Sequence, residues 1–314
     1  MTQNPKVSII IPVYNGSNFV RHAIDCALSQ TYDNVEVVVV NDGSTDGGKT
    51  DEIARSYGDR IRYFAKENGG VSSALNYGIA NMTGEYFSWL SHDDAYGPDK
   101  VKDAIKLLRA HDMLGKKCVA HTSGYTMDVD GNKLKDFPNS FAENQVFSGV
   151  EVLTRMTKER GLYGCCMLIP KSAFDEVGGF AEDLRFSQDF LMWYRIFMAG
   201  YQLVSDHRLN VMCRLHKNQV TNLRRDLYEH DAVIIAKLLA EPLVNVDADG
   251  TLLMLYLQRL TKYQCKEAIA YIRNFAAEKG LMTPKRRVAY YLYQCKGFFR
   301  YRLATFAKKH LYKR

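Results

Sequence analysis

Residues 84–94 read Gly84-Glu85-Tyr86-Phe87-Ser88-Trp89-Leu90-Ser91-His92-Asp93-Asp94. The apolar side chains Tyr86, Phe87, Trp89 and Leu90 mark a short buried strand. It stops at Ser91 and His92, followed at once by two adjacent carboxylates, Asp93 and Asp94. Neighbouring acids repel unless a cation or hydrogen-bond donors stand between them. A solvated turn explains such a pair when it is taken alone, since Asp is common in turns. The reading changes with what the chain places beside it.

Upstream, Val7–Val13 is an apolar, β-branched run bounded by Asn15 and Gly16, the pattern of a fully buried strand. Residues 17–30 carry Phe19, Val20, Ala23, Ile24, Ala27 and Leu28 at helical spacing. Val35–Val40 is a second buried strand, ending in Asn41-Asp42-Gly43-Ser44-Thr45-Asp46. Asp46 is placed to cap a helix that runs to about Tyr57. Ile61–Phe64 is a third strand, and Gly69-Gly70 opens a helix over Val71–Asn81. Pro98 starts another helix that runs to about Met113. Strands alternating with helices predict an α/β fold with a doubly wound sheet. Ligands in such sheets bind at the carboxyl ends of the strands. Tyr14-Asn15, Asp42-Gly43-Ser44 and His92-Asp93-Asp94 all fall at such ends, and their convergence is the functional signal.

Past Met113 the pattern changes. Lys117–Thr126 and Cys165–Ile169 read as strands, with a hairpin turn at Asp128-Val129-Asp130-Gly131. Residues 187–199 form a helix with Asp189 in its first turn, where the helix dipole favours an acid. Asp46 and Asp51 likewise read as acids at helix starts. Residues 210–222, with Arg214, His216, Gln219 and Thr221, read as an irregular stretch. From about Leu223 onward the chain reads as helical.

The bulk numbers fit a globular chain of 314 residues, with 46% hydrophobic and 25% charged residues. Seven cysteines, none in a C-x-x-C pair, argue against a zinc ribbon or a redox dithiol and read as reduced cytosolic thiols. Residues 1–16 do not look like a signal peptide, and no apolar run reaches the roughly 20 residues needed to span a bilayer. The charge is uneven. Residues 281–314 hold ten Lys and Arg and no acid, so against +7 overall the rest of the chain sums to −3.

Read together, the motifs resemble the inverting glycosyltransferases of family 2, which have the GT-A fold. The matching stretches are Val7–Asn15, Ser29-Gln30-Thr31, Val39–Asp46, Asn68–Ser72, Gly84–Tyr86, Asp93-Asp94, Gly178-Gly179-Phe180 and Gln188-Asp189, in the family's order, over roughly residues 5–220. The resemblance implies a GT-A catalytic domain over 1–222, its nucleotide-sugar half about 1–115 and its acceptor half about 116–222. A helical region over 223–314 follows. It implies that Pro12, Val13, Tyr14, Asn15 and Gly70 line the nucleotide, that Asp42 hydrogen-bonds the base and that Asp93 meets the ribose. It implies that Asp94 holds Mn²⁺ or Mg²⁺ and that Asp189 is the general base. Arg214 and His216 match a basic element of many family members, which has His216 completing the metal shell or touching the diphosphate, with a structural histidine as the alternative. The family often has an Arg where Leu75 stands here. The Gln/Arg-rich Trp motif of processive members is missing, which argues against a processive polymerase.

The chemistry is consistent with these roles. A sugar nucleotide needs its diphosphate charge offset, by a divalent cation on carboxylates. The acceptor hydroxyl must lose a proton to a base such as Asp189, an effect of ~10²–10⁴-fold. Trp193, one turn after Asp189, is placed to stack on an acceptor sugar, with core packing as the alternative. The expected activity is transfer from a nucleotide sugar, UDP-linked, to a hydroxyl of a glycan or lipid-linked acceptor in polysaccharide biosynthesis. A sugar-nucleotide-forming nucleotidyltransferase and a non-catalytic nucleotide-sugar binder are the alternatives. The first would carry a Gly-rich basic loop where Tyr14-Asn15-Gly16 stands. The basic, aromatic segment 281–314 suits an anionic membrane surface. That makes the expected location cytoplasmic, peripheral on the inner face of the membrane. Packing of the segment on the catalytic domain or on a second copy in a homo-oligomer stays open. No nucleic-acid module is apparent.

Overall fold

A computed structural model describes residues 4–138, 140–141, 143–159, 162–217 and 225–293. The chain divides into two units, Met1–Val152 with Arg160–Leu223 and Leu153–Glu159 with Arg224–Arg314. The second unit takes in 153–159, which nothing in the sequence sets apart.

The first unit is a ten-stranded mixed sheet with helices. Its strands are β1 (Val7–Val13), β2 (Val35–Asp42), β3 (Arg62–Lys66), β4 (Tyr86–Trp89), β5 (Ala95–Tyr96), β6 (Cys118–Met127), β7 (Lys133–Asp136), β8 (Gln145–Phe147), β9 (Met167–Pro170) and β10 (Gln202–Arg214). Between them lie α1 (Val20–Leu28), α2 (Lys49–Arg55), α3 (Gly70–Asn81), α4 (Lys100–Ala110), α5 (Gly149–Lys158), α6 (Lys171–Val177) and α7 (Gln188–Met198). The main path of the sheet is β3-β2-β1-β4-β9-β6-β10-β5. The fold is the α/β, GT-A type expected from the motifs.

Every residue of β1 is buried, as a strand covered on both faces requires. Ile9 and Ile11 belong to the cluster that includes Val20, Ala23 and Ile24 of α1. On the other face α3 comes close through Gly78, where a Cβ would lie 2.5 Å from Ile10 Cγ2. Leu75 of α3 is fully buried, so the position where the resemblance leads one to expect an Arg belongs here to the core.

Strand direction decides where the loops meet. β1 to β4 are mutually parallel. β9 is antiparallel to both β4 and β6, and β6 is parallel to β10. β10 therefore runs in the same sense as β4, and its carboxyl end reaches the same edge as Asp93. The stretch from Asn210 to Arg214, expected to be irregular, is strand, paired with β6 and β5. Its polar side chains hid it: Asn210 and Arg214 are buried and hydrogen-bonded, not solvated.

The opposite edge is held by Glu36 at the start of β2. Its carboxylate accepts hydrogen bonds from Ser8 on β1, Arg62 on β3 and the backbone and hydroxyl of Thr83 ahead of β4. Lys6 lies 3.4 Å away. One acid thus ties four strands together at their amino ends.

In the second unit, α8 (Arg225–Val246), α9 (Thr251–Tyr263) and α10 (Lys266–Glu278) follow one another, and 284–293 is also helical. Arg259 on α9 donates to the carbonyls of Met156, Thr157 and Glu159, capping the end of α5. No helix among the described residues is long and apolar enough to cross a membrane. Of the basic segment 281–314, residues 294–314 lie outside the described residues.

Burial works against ionisation of Glu36, but the hydrogen bonds from Ser8, Thr83 and Arg62 outweigh it and bring its carboxyl down from 4.5 to about 2. A carboxyl lowered by folding stabilises fully above its unfolded value and loses that contribution as pH falls through the folded value. Glu36→Gln is therefore expected to cost up to about 3 kcal/mol at neutral pH. The gap from the parent chain should narrow from about pH 4.5 toward pH 2, as read by urea unfolding at a series of pH values. A gap that does not change with pH would exclude this role for Glu36.

Candidate active site

Backbone geometry sets the two adjacent acids apart. Residues 91–94 close a tight turn, with the Asp94 amide donating to the Ser91 carbonyl at 3.1 Å. His92 and Asp93 occupy its tip. Asp94 begins the return into β5, which pairs with β10 through Ala95 and Met212. Asp94 is thereby buried, at 7% exposure. One of its oxygens accepts the Arg214 amide at 2.9 Å, and the other accepts the Cys213 thiol at 3.3 Å. Burial pushes the Asp94 carboxyl well up, and the charge on Asp93 adds to this. The Arg214 and Cys213 hydrogen bonds work in the opposite direction. Both oxygens of Asp94, the residue expected to hold the cation, thus accept hydrogen bonds from β10.

Asp93 stays at the surface of the cleft. Its Oδ2 lies 2.8 Å from His216 Nε2, and both side chains keep some exposure. His216 comes just beyond β10, so the topology of the sheet brings this pair together across 123 residues. A carboxylate beside an imidazole, both reachable from solvent, is a donor set that suits Mn²⁺ or a similar divalent cation. Burial pulls the His92 pKa down, with Asp93 raising it and His216 lowering it further. The His92 ring lies against Gly16, where a Cβ would sit 2.4 Å from His92 Cδ2. Only a glycine lets the first loop and the fourth approach this closely.

Arg214 holds the mouth in shape. Buried at 5% exposure, it donates from Nε to the Asp93 carbonyl and from Nη1 to the carbonyls of Asp128 and Val129 in the β6–β7 hairpin. Its Nη2 lies 3.3 Å from His22 Nδ1, and its guanidinium covers the Phe19 ring at 4.8 Å. Phe19 also meets the His216 ring, with centroids 5.4 Å apart. Neither Phe19 nor His22 carries a signal of this in the sequence. Each looks like an ordinary helix residue.

The remaining loops are tied to one another. Asn15, in the left-handed region at φ 50°, receives the Thr45 amide on its side-chain oxygen and donates its own amide to Ser44 Oγ. Gly16 donates to Thr50 Oγ1. Tyr14 is 46% exposed at the cleft edge, while Pro12 and Val13 are buried in β1. Asp42, 3% exposed, accepts from Lys66 at 2.8 Å and from the amides of Gly69 and Gly70 that open α3. Gly70 reaches that position at φ 86°. An acid at a helix amino end is favoured by the macrodipole, so Asp42 both caps α3 and ties β2 to β3.

Asp189 is half-buried in the first turn of α7, with Oδ1 accepting the Phe190 amide at 2.7 Å. Trp193 on the same helix is 1% exposed. It packs edge-on against Phe180, and Gly164 fits between its ring and that of Trp89. Trp193 offers no face to a sugar, so the acceptor-stacking expectation is replaced by core packing. Gln219 and Thr221 lie outside the described residues.

Comparisons with known proteins agree with this architecture. The family described as Glycosyl transferase family 2 matches residues 8–178. A relative from Rickettsia typhi, named an uncharacterized glycosyltransferase, is 44% identical over 236 residues, or 74% of this chain and 71% of its own. One from Rickettsia felis, also named an uncharacterized glycosyltransferase, is 46% identical over 217 residues, or 68% of this chain. The chain spans 35% of that relative and 30% of one from Rickettsia bellii, about a third of their length. Among solved structures, Staphylococcus aureus TarS 1-349 aligns with TM-score 0.67 at 18% identity, covering 98% of this chain and 93% of that one. It has also been solved in complex with UDP-GlcNAc. The mannosyltransferase PcManGT of Pyrobaculum calidifontis, solved with GDP-Man and Mn²⁺, aligns with TM-score 0.53 at 20% identity, over 99% of this chain and 82% of its own. A family match across more than half of the chain favours the glycosyltransferase family over the nucleotidyltransferase alternative. With that match, the relatives at well over 30% identity and the shared fold, the chain belongs to glycosyl transferase family 2.

Proposed function

We propose that the chain transfers a sugar from a UDP-linked donor, with inversion, to a hydroxyl of a glycan or lipid-linked acceptor. The observation that carries this reading is the Asp93–His216 pair at the carboxyl edge of the sheet. The Asn15 and Asp42 loops end strands at the same edge. The UDP-GlcNAc complex of TarS supports a UDP-linked donor, and the Mn²⁺ complex of PcManGT supports a divalent cation.

In this reading Asp93 and His216 hold the cation, and Arg214 keeps the Asp93 backbone and the β6–β7 hairpin in place. When bound, the cation supplies charge to offset the diphosphate as it leaves. Tyr14 and the Asn15–Thr45 bridge border the nucleotide, and Asp42 shapes the base site through the start of α3. Asp189 takes the proton of the acceptor hydroxyl as its oxygen attacks the anomeric carbon. A single displacement of that kind inverts the configuration there. Asp189 sits on a rigid helix whose next turn, with Trp193, is locked in the core. The protein works at the inner face of a membrane, where the cations of 281–314 meet anionic lipid at about 1 kcal/mol each. Salt-sensitive sedimentation of the full chain with anionic vesicles, weakened when Lys308, Lys309, Lys313 and Arg314 become Gln, would support that docking. A full chain that shows no such binding would overturn it.

Asp93→Asn is expected to lower Mn²⁺-dependent turnover of the UDP-sugar by about a hundredfold or more, in line with the several kcal/mol a bound cation contributes. Asp94→Asn should instead lower the melting temperature more than it lowers cation affinity. Calorimetric titration of UDP with Mn²⁺, alongside thermal unfolding of both variants, reads the two effects. Full cation-dependent UDP binding by Asp93→Asn would refute the assignment.

Asp189→Asn keeps the shape of the side chain and removes the base. Its turnover should fall by ~10²–10⁴-fold while donor affinity stays within a few-fold of the parent. Product release from a panel of UDP-sugars and acceptors gives the rate, and near-normal turnover would remove Asp189 from the mechanism.

A further inference from the structure

Beneath the mouth lies a second group of donors that the glycosyl transfer does not use. Among the described residues, Asp94, Cys165 and Cys213 form one group whose ligand atoms all lie within 4.8 Å of one another. Cys213 is the penultimate residue of β10, and Cys165 sits in the 3₁₀ turn 164–166 just before β9. Their sulfurs are 3.5 Å apart, and Cys213 Sγ is 3.3 Å from Asp94 Oδ2. Zinc-class ions hold sulfur at about 2.3 Å and carboxylate oxygen at about 2.0–2.2 Å in a tetrahedron. Those radii give edges of about 3.8 Å for sulfur to sulfur and about 3.5 Å for sulfur to oxygen. The two edges in the structure match that triangle to within a few tenths of an ångström.

The surroundings also fit. Asp94 and Cys165 are buried, whereas Cys213 is only half-buried and gives an ion a way in. Oδ1 of Asp94 stays fixed by the Arg214 amide, as ligand carboxylates usually are by an outer partner. Lys100 is fully buried and donates to two neutral oxygens, Ser88 Oγ and the Met167 carbonyl. Its charge is felt at Cys165. Two thiolates, one carboxylate and a divalent ion sum to −1, which the Lys100 ammonium balances. The set differs in kind from the Asp93–His216 pair: two sulfurs select soft ions, whereas oxygen and imidazole suit Mn²⁺.

We propose that Cys165, Cys213 and Asp94 form a site for one soft divalent cation of the zinc class, separate from the cation that serves transfer. On binding, each thiol loses its proton to solvent, so two protons leave per ion and the Cys213 S–H···Asp94 hydrogen bond gives way to two metal–ligand bonds. The ion then fastens the return from the Asp93 turn to the ends of β9 and β10. No electron transfer is involved.

Cobalt is the probe, because Co²⁺ bound to thiolate shows a near-ultraviolet charge-transfer band and Co²⁺ bound to oxygen and nitrogen alone does not. The full chain is first reduced, which opens any Cys165–Cys213 disulfide, then desalted and titrated with CoCl₂ without nucleotide. The expected result is a charge-transfer band that saturates at one ion per chain and is displaced by Zn²⁺. Cys165→Ser and Cys213→Ser should each weaken binding by more than about tenfold and lose most of the band. Asp93→Asn should leave it unchanged. Near-ultraviolet circular dichroism checks that the variants are folded. Should Cys165→Ser not fold, Cys213→Ser, at the half-buried end of β10, carries the test, with a zinc-induced rise in the parent's melting temperature that the variant lacks. Absence of the band in the reduced parent overturns the proposal, as does a band that persists in a folded cysteine variant or disappears in Asp93→Asn.

Discussion

The hydrogen bond from the Arg214 amide to the Asp94 carboxylate is the constraint on which the mouth of the sheet depends. It joins the end of β10 to the turn after β4, two segments 120 residues apart. Without it there is no reason for His216 to stand beside Asp93. A buried carboxylate is costly unless donors surround it, so the arrangement holds only if the Arg214 amide and the Cys213 thiol both meet Asp94. The Arg214 side chain, on the other side of the strand from Cys213, runs over Phe19, and its guanidinium fans across the Asp93, Asp128 and Val129 carbonyls. One buried acid thereby orders three loops.

Glu36 does the matching work at the far edge. Both ends of the parallel strands are closed by a buried carboxylate with donors from several elements. The physical difference lies in what those donors are. Glu36 is met by the cations Arg62 and Lys6 as well as by neutral donors, and its carboxyl falls. Among the described residues Asp94 meets an amide and a thiol and lies beside another acid; burial and that neighbouring charge raise its carboxyl. The first edge is built for stability.

Much of this was legible in the sequence, and the reason is periodicity. Val7–Val13 and Val35–Val40 are apolar without interruption because both faces are covered, and such runs have few other readings. The strand-end turns at Asn15, Asp42 and Asp93 followed from that. What could not be read is which of two adjacent acids faces the cleft, because that depends on a single turn and on the strand it leads into. The polar run from Asn210 to Arg214 looked irregular for a related reason: its partners, Asp94, Thr122 and the hairpin carbonyls, lie far away in sequence. Trp193 left both readings open, since a tryptophan one turn from a helix-start acid looks alike whether it faces a sugar or the core; burial at 1% exposure favours the core.

The division of labour between Asp93 and Asp94 also accounts for the chemistry of their neighbours. In the proposed reading a cation that binds and releases a diphosphate needs ligands that solvent can reach, and Asp93 and His216 both keep some exposure. Ligands of that kind are mobile unless something behind them is fixed. The fixed layer here consists of Asp94, Cys213 and Cys165, with Lys100 behind them bound to Ser88 and the Met167 carbonyl. Thiols suit such a layer. They are compact enough to fill the space between β10 and the turn before β9, and they donate only weakly. The Asp94 oxygen they face therefore keeps most of its basicity. That leaves a carboxylate and two sulfurs in one small buried space, close beneath the Asp93–His216 pair proposed to hold a cation.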